Sequence, residues 1–547
     1  MKRLFLGIVG VIAAIVVLGW INYESIILAM AAREKTEFNE ETVDIAWQQG
    51  PSVPAVGERP PNIVFILADD LGINDISTFG GGMAGGTVPT PNIDRLRAGG
   101  VSFDVAYAGT ASCAPSRGML MTGRYPTRTG FEFTPTPGRM APIVATIANR
   151  NRGGRPQTKH IKATDALPYE QQGLPGSEVT IAEVLQDQGY HTVHIGKWHM
   201  GREGEFTANN QGFDESLLMA SGLFLPEDDP NVVNAKLDFD PIDRFLWASM
   251  QYAAQFNNGE WFKPGGYLTD WWTDEAVNVI EANKNRPFFL YLAHWAVHTP
   301  LQATKEDYEA LSHIEDHGER VYAGMMLSLD RSVGRVLDAL DEQGLTDNTI
   351  IVFSSDNGGA GYIGIPEVNA PYRGWKLTFF EGGIRVPMFI KWPGQIEAGS
   401  TITAPVSHID VMPTLAAAVG APLPPVEIDG VDLLPIARGE TDARPHDAIF
   451  FQSAGYQVVR AGDWKLQIGA RPGATFLFDL AEDPTEQINL ADQYPDRVAE
   501  LTTMIEQHTA TGRAPLYPHR LEGVIAVDAT IDQPFDLAND EYIVWPN

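Results

Sequence analysis

The chain has 547 residues, a length that implies two to four domains or one large α/β unit with additions, and its 44% hydrophobic and 20% charged composition is that of a folded globular protein. Its 39 basic and 70 acidic residues leave a net charge of −31, which argues against nucleic acid as a partner and requires any anionic substrate to be drawn by a local cationic pocket. A single cysteine, Cys113, excludes an intramolecular disulfide framework.

Lys2 and Arg3 precede an uncharged apolar run at residues 4 to 21, long for a signal-peptide core and near the lower limit for spanning a bilayer. With the small-residue triplet Ala29-Met30-Ala31 as a cleavage site, residues 1 to 34 read as a signal anchor or a signal peptide, and the rest as exported to the periplasm or the exterior. Residues 35 to 61 are polar and proline-bearing and read as a linker. Residues 62 to 68 are a continuous apolar run that suits a buried parallel strand, and it ends in Asp69-Asp70-Leu71-Gly72. Paired carboxylates at the carboxyl end of such a strand stand where open α/β sheets place ligands.

The run from Ser112 to Arg124 predicts a helix, with Pro115 in its first turn and Gly123 at its far end. Cys113 then sits at the helix N-terminus, where free N–H groups favour an anion, and Arg117 lies one turn later on the same face. Residues 133 to 164 carry six Lys or Arg residues and no acid, which predicts a basic loop on the approach to an anionic substrate.

Thr180 and Glu183 have capping-box spacing for a helix ending by Gly189, and a short strand at residues 190 to 195 leads into Gly196-Lys197-Trp198-His199. Lys197 and His199, two apart, share one side of an extended segment. The aromatic stretch at residues 224 to 272 reads best as packing, with a lid or a sugar-stacking platform as alternatives. A helix near 270 to 284, a strand at 287 to 292 and a packing helix at 319 to 343 follow, with His294 and His298 after the strand. A second buried strand at 349 to 353 runs through two serines into Asp356-Asn357. If it neighbours the first strand, four oxygen-bearing side chains converge without nitrogen or sulfur among them, a set for Ca²⁺ or Mg²⁺ rather than zinc. Beyond Lys376 and Glu381-Gly382-Gly383, antiparallel strands at 458 to 466 and 476 to 480 and a helix at 495 to 508 suggest a smaller α+β unit; residues 511 to 547 read as irregular wrapping.

These segments resemble the type I sulfatases, the formylglycine-dependent arylsulfatase family of the alkaline phosphatase superfamily. The resemblance rests on Cys113-x-Pro115-Ser116-Arg117 closed by Thr122-Gly123-Arg124, on Gly189-Tyr190-x-Thr192 running to Gly196-Lys197-Trp198-His199, and on the two strand-end acidic pairs, and it spans roughly residues 61 to 510. It implies an α/β fold with a large mixed, mostly parallel sheet flanked by helices, a catalytic domain at 62 to 440 and a C-terminal subdomain and tail at 441 to 547. It further implies that a formylglycine-generating enzyme oxidises Cys113 to an aldehyde whose hydrate is the nucleophile. Ca²⁺, with Mg²⁺ as the substitute, would be held by Asp69, Asp70, Asp356, Asn357 and the modified Cys113. Lys197 and Lys376 would hold sulfate oxygens and Arg117 would stabilise the nucleophile. His298, with His294 as competitor, would protonate the leaving alcohol, and His199 would take the proton that lets sulfate depart. The implied substrate is a sulfated small molecule or glycan. A phosphonate monoester or phosphodiester hydrolase of the same superfamily is the alternative, disfavoured because those relatives carry histidine where this chain has Asn357. A non-catalytic anion-binding protein on the same fold is the remoter one.

Overall fold

The computed structural model describes residues 22–32, 37–53, 59–163, 167–220, 222–471 and 473–547. Four apolar runs build its centre: β1 (Asn62–Ala68), β2 (His191–Gly196), β3 (Phe288–Ala293) and β4 (Thr349–Ser355), buried at every residue. They lie side by side in the order β2-β3-β1-β4, all parallel. Both faces of the sheet are covered, so the strands are buried throughout rather than on alternate residues, with His191, Thr192 and His194 of β2 among the buried polar members. Val64 and Ile66 enter one core cluster while Ile63, Phe65 and Leu67 enter another. Among the described residues this sheet has eleven strands, with Glu215–Met219 parallel to β2 and Met388–Lys391 antiparallel to β4. It is a large mixed, mostly parallel sheet.

The register decides where the chemistry goes. Ser355 is paired with Ala68, and Ala293 with both Leu67 and Gly196, so the four central strands end at one edge and release their following residues into one space. Around the sheet lie helices α1 (Tyr23–Ala31), α2 (Cys113–Thr122), α3 (Met140–Arg150), α4 (Pro241–Ser249), α5 (Leu268–Asn283) and α6 (His317–Glu342). The expected stop of α2 is present: Gly123 takes φ +67, a left-handed conformation open to glycine. The capping box is also present, Thr180 Oγ1 accepting from the Glu183 amide and Glu183 Oε2 from the Thr180 amide. A four-stranded antiparallel sheet (Ala448–Ser453, Tyr456–Ala461, Trp464–Ile468, Thr475–Asp479) carries helix α7 (Pro495–Ala510).

Three segments differ from their sequence reading. The stretch read as a linker supplies Asn39–Thr42, paired with Trp261–Lys263 at the sheet edge, and Trp47, buried with its Nε1 donating to Glu275 Oε2 at 2.6 Å. The buried aromatic ring with its carboxylate partner, the strand pairing and the Gln48 amide donating to Glu215 Oε1 tie this polar, proline-rich segment to the core. The tail is not irregular: Leu521–Ala526 and Tyr542–Pro546 form a hairpin that takes Lys159–His160 as a third strand. Its apolar members Ile543 and Trp545 are buried against the C-terminal unit.

The basic segment is not a loop either, since it contains α3, whose Val144 and Ile147 pack on Phe245 and Leu246 of α4. Most of its cations serve structure. Arg139 donates to the Met30 carbonyl, Arg150 pairs with Glu24 of α1, Lys159 pairs with Glu522, and Arg155 donates to the carbonyls of Thr530 and Gln533. The aromatic stretch is largely packing: Tyr252, Phe262, Tyr267, Trp271 and Trp272 are buried in the main core.

The apolar run at residues 4 to 21 lies outside the described residues. Among the described residues no helix is long and apolar enough to cross a membrane. The triplet Ala29-Met30-Ala31 falls in α1, where Ala31 is buried among α3 and α4 residues.

Candidate active site

The common edge of the central strands gathers nearly all the residues singled out in the sequence. Asp69 and Asp70 follow β1, Asp356 and Asn357 follow β4, Lys197 and His199 follow β2, and His298 follows β3. The β1 and β4 groups touch: Asp356 Oδ1 accepts from the Asp70 amide at 3.3 Å, and Asn357 Nδ2 donates to Asp70 Oδ1 at 2.8 Å. Cys113, at the first position of α2, places Sγ 3.6 Å from Asp69 Oδ1, 3.7 Å from Asp70 Oδ1 and 3.2 Å from Lys376 Nζ. Arg117 reaches back from the next turn. Its Nε donates to Asp356 Oδ2 at 2.8 Å, and another guanidinium nitrogen donates to the Lys197 carbonyl at 2.7 Å.

Each carboxylate has its own cation. Lys197 Nζ donates to Asp69 Oδ2 at 2.5 Å, Lys376 Nζ donates to both oxygens of Asp70 at 2.6 and 2.8 Å, and Arg117 holds Asp356. Three buried anions thus face three buried cations, the arrangement that makes the burial of so many charges tolerable. Burial would raise the Asp70 carboxyl, but Lys376, His298 and Lys197 hold it below its ordinary range. Asp69 goes the other way, lifted to about 7 by burial and by neighbouring Asp356. Burial pushes the Cys113 thiol upward and Asp356 adds to the effect, so an unmodified thiolate is disfavoured here. Burial, assisted by Lys197 and Arg117, keeps His199 neutral, and burial lowers His298 to about 3 although Asp70 pulls upward.

Asp70, His199 and Leu377, next to Lys376, have φ of 60, 62 and 72, in the left-handed region that non-glycine residues rarely enter. Such strain gathers where surrounding structure holds a functional side chain in place. Gly196, with φ +105, lies so close to the β3 terminus that a Cβ there would stand 2.0 Å from the Ala293 carbonyl oxygen. That contact explains glycine immediately before Lys197.

The two histidines after β3 part company. His298 Nε2 lies 3.6 Å from Asp70 Oδ2, whereas His294 Nε2 is engaged with Ser332 Oγ of α6 at 2.9 Å, away from the cluster. Two further residues escaped the sequence reading. Tyr362 donates to Asp70 Oδ2 at 2.8 Å, and the Trp295 ring stacks on His298 at 4.1 Å with Lys197 Nζ 4.6 Å from its centroid. Neither stands in a recognisable motif; only the company of His298 could have marked Trp295.

Ligand atoms for a cation are at hand: carboxylate oxygens from Asp69 and Asp70, with the Cys113 sulfur and a His298 ring nitrogen beside them. Asp69, Asp70, Cys113 and His298 each offer a ligand atom within 4.8 Å of the others, and Asn357 Oδ1 is buried with no hydrogen-bond partner among the described residues. Beside the cluster opens a cavity of about 1010 Å³ lined by Cys113, Lys197, His199, His298 and Lys376.

The sequence and the fold have known counterparts. The Sulfatase family profile matches residues 61–421, and the N-sulphoglucosamine sulphohydrolase C-terminal profile matches residues 374–511. Human arylsulfatase A is 31% identical over 495 residues, covering 82% of this chain and 87% of that protein. Human steryl-sulfatase is 31% identical over 492 residues, covering 76% of each. The crystal structure of Ps i-CgsB superposes with a TM-score of 0.68 at 31% identity, covering 84% of this chain and 95% of the other. Phosphonate monoester hydrolase SpPMH from Silicibacter pomeroyi, at 19% identity and a TM-score of 0.58, shares the fold. The chain therefore belongs to the sulfatase family. It is a sulfuric ester hydrolase.

Proposed function

We propose that the chain hydrolyses sulfate monoesters with a formylglycine made from Cys113 and with a hard divalent cation, Ca²⁺ before Mg²⁺, held by Asp69, Asp70, Asp356 and Asn357. The observation that carries the reading is the position of Cys113: at a helix N-terminus, within 3.7 Å of both strand-end aspartates and 3.2 Å from Lys376. The cation, when bound, adds positive charge beside the nucleophile and the sulfate oxygens. The hydrated aldehyde supplies an oxygen nucleophile and a second hydroxyl through which the sulfated adduct is released.

Everything else is done by the chain's own groups. Lys197 and Lys376, in this reading, share their charge between the aspartates they contact and the sulfate group, and stabilise the charge that grows on it. Arg117 orients Asp356, which stands ready to take the nucleophile's proton. His298 delivers a proton to the leaving oxygen once the negative charge of the substrate is seated beside it, and neutral His199 accepts the proton from the second hydroxyl. The formylglycine-generating enzyme is the partner this scheme requires, and the apolar run at residues 4 to 21 supports export.

Mass spectrometry of the peptide spanning Cys113, taken from active protein of the native host, should show the aldehyde; a thiol throughout active protein refutes the scheme. Cys113→Ser, lacking the second hydroxyl, should accumulate a sulfated adduct instead of turning over. Release of product from an aryl sulfate should exceed that from the matching aryl phosphonate ester, and the reverse order selects the phosphonate reading.

A further inference from the structure

The cavity beside Cys113 has two unlike ends. One holds Lys197, His199, His298 and Lys376. The other is walled by three helices: Ala31 of α1, Met140 and Ile147 of α3, and Ile242, Phe245 and Leu246 of α4. The hairpin of the tail adds Leu521, Val524 and Ile525 to the same wall. The α1, α3 and α4 members and Leu521 of the hairpin belong to or pack against one cluster, so this part of the wall is continuous rather than a set of scattered contacts. Helix α1 is fixed in that wall by charge as well as packing: Glu24 pairs with Arg150 of α3 at 3.2 Å and with Arg244 of α4 at 2.7 Å.

Several polar side chains that also line the cavity are committed to the protein's own backbone. Asp240 caps α4, accepting from the Ile242 and Asp243 amides at 3.0 and 2.9 Å. Arg155 is spent on the Thr530 and Gln533 carbonyls, Arg202 donates to the Ala220 carbonyl at 2.8 Å, and Asn547 accepts from the Thr134 amide at 3.0 Å. A sugar carries hydroxyls on most of its carbons and needs free donors and acceptors around it, because each unmatched hydroxyl costs its hydration. An apolar group needs only the wall.

We infer that this site takes amphiphilic sulfate esters, in which the sulfate is carried by a large apolar alkyl, alkylaryl or fused-ring group that lies against the wall formed by α1, α3, α4 and the C-terminal hairpin. The inference rests on the sulfatase reading of the catalytic end. The volume, about 1010 Å³, is at the upper end for a pocket that encloses a ligand of drug size and exceeds what a sulfate and one aromatic ring fill.

The test is a series of 4-alkylphenyl sulfates from methyl to octyl, used below their micelle concentrations, with a 6-sulfated hexosamine as the polar comparator. kcat/KM should rise at least twofold for each added methylene over the first several carbons, against a ceiling of about fourfold set by ~0.8 kcal/mol per buried methylene. The hexosamine should be turned over more slowly than the octyl ester. Ile242→Gln and Met140→Gln, both at half-buried wall positions, should each lower the octyl-to-methyl ratio of kcat/KM by about tenfold or more. A flat series, an unchanged ratio in both variants, or preference for the hexosamine overturns the inference and leaves the sulfatase reading standing. No sulfate release from any ester overturns both.

Discussion

Two buried ionic clusters can be set against each other in this molecule. The first joins Asp69, Asp70 and Asp356 to Arg117, Lys197 and Lys376. The second lies between the main sheet and the C-terminal unit, where Lys465 Nζ is 2.8 Å from Glu381 Oε1 and 2.9 Å from Glu486 Oε1. Tyr107 donates to Glu381 at 2.9 Å, and Arg460 donates to the Tyr107 hydroxyl. Burial and charge pairing are alike in the two, so neither property marks a catalytic site. The difference is incompleteness. Near the first cluster Asn357 Oδ1 and His199 Nδ1 are buried without partners among the described residues, and a large cavity opens beside it; no atom of the second cluster is left so. A cluster that closes on itself ties two units together, whereas one with unpartnered polar atoms and a cavity beside it is prepared for something that arrives.

That contrast can be broken by substitution. The largest effect on stability is expected from Lys465→Ala, which leaves Glu381 and Glu486 facing each other; loss of one partner of a buried ion pair costs about 3–5 kcal/mol. Denaturant unfolding should report that loss while kcat/KM per folded molecule stays near wild type; lost activity with unchanged stability would place the second cluster in the catalytic machinery. Next in size, Lys376→Ala or Lys197→Ala should lower kcat by about 10²–10³, the worth of one donor aimed at developing charge, or about 2.7–4 kcal/mol. Stopped assays on purified, folded variants measure it, and a loss under tenfold would remove the lysine from the sulfate site.

A smaller effect tests the hydrogen bond from Tyr362 to Asp70. Tyr362→Phe should cost about 1 kcal/mol in kcat/KM, roughly fivefold, with weaker Ca²⁺ retention on dialysis. The smallest effect is in pH dependence. Burial pushes Glu486 up to about 7, against the pull of Lys465. The folded state then keeps a proton that the unfolded chain has already released, so this contribution to stability is complete below the ordinary carboxyl range and is lost as the pH rises through about 7. Glu486→Gln, whose single carbonyl oxygen can still accept from the Glu381 amide, should flatten the decline in urea midpoint between about pH 5 and 8. A variant that keeps the full wild-type slope assigns it to other groups.

Much of the site was legible in the sequence because its parts are local. An apolar run that ends in Asp69-Asp70 or in Asp356-Asn357 is a strand with oxygen-bearing side chains at its tip, and Cys113 with Pro115 and Gly123 is a helix with its N-terminus marked. Choosing between His294 and His298 needed the packing of α6, since both follow the same strand and only contact with Ser332 removes His294 from the cluster. The cations of the basic segment misled for a related reason. In a chain this acidic a run of Arg and Lys suggests an anion, yet most of them answer acids and carbonyls on α1 and the tail, segments over a hundred and over three hundred residues away.

By itself, then, the amino-acid order determined which residues can do chemistry and that two buried strands carry them, because apolar runs and turn residues act over a few positions. Only the tertiary structure decided that β1 and β4 are parallel neighbours in matched register, that Trp295 and Tyr362 join the site, and that α1, α3, α4 and the hairpin wall one cavity. Those facts depend on pairing and packing between distant segments, where the energy comes from surfaces that meet only after the chain has folded.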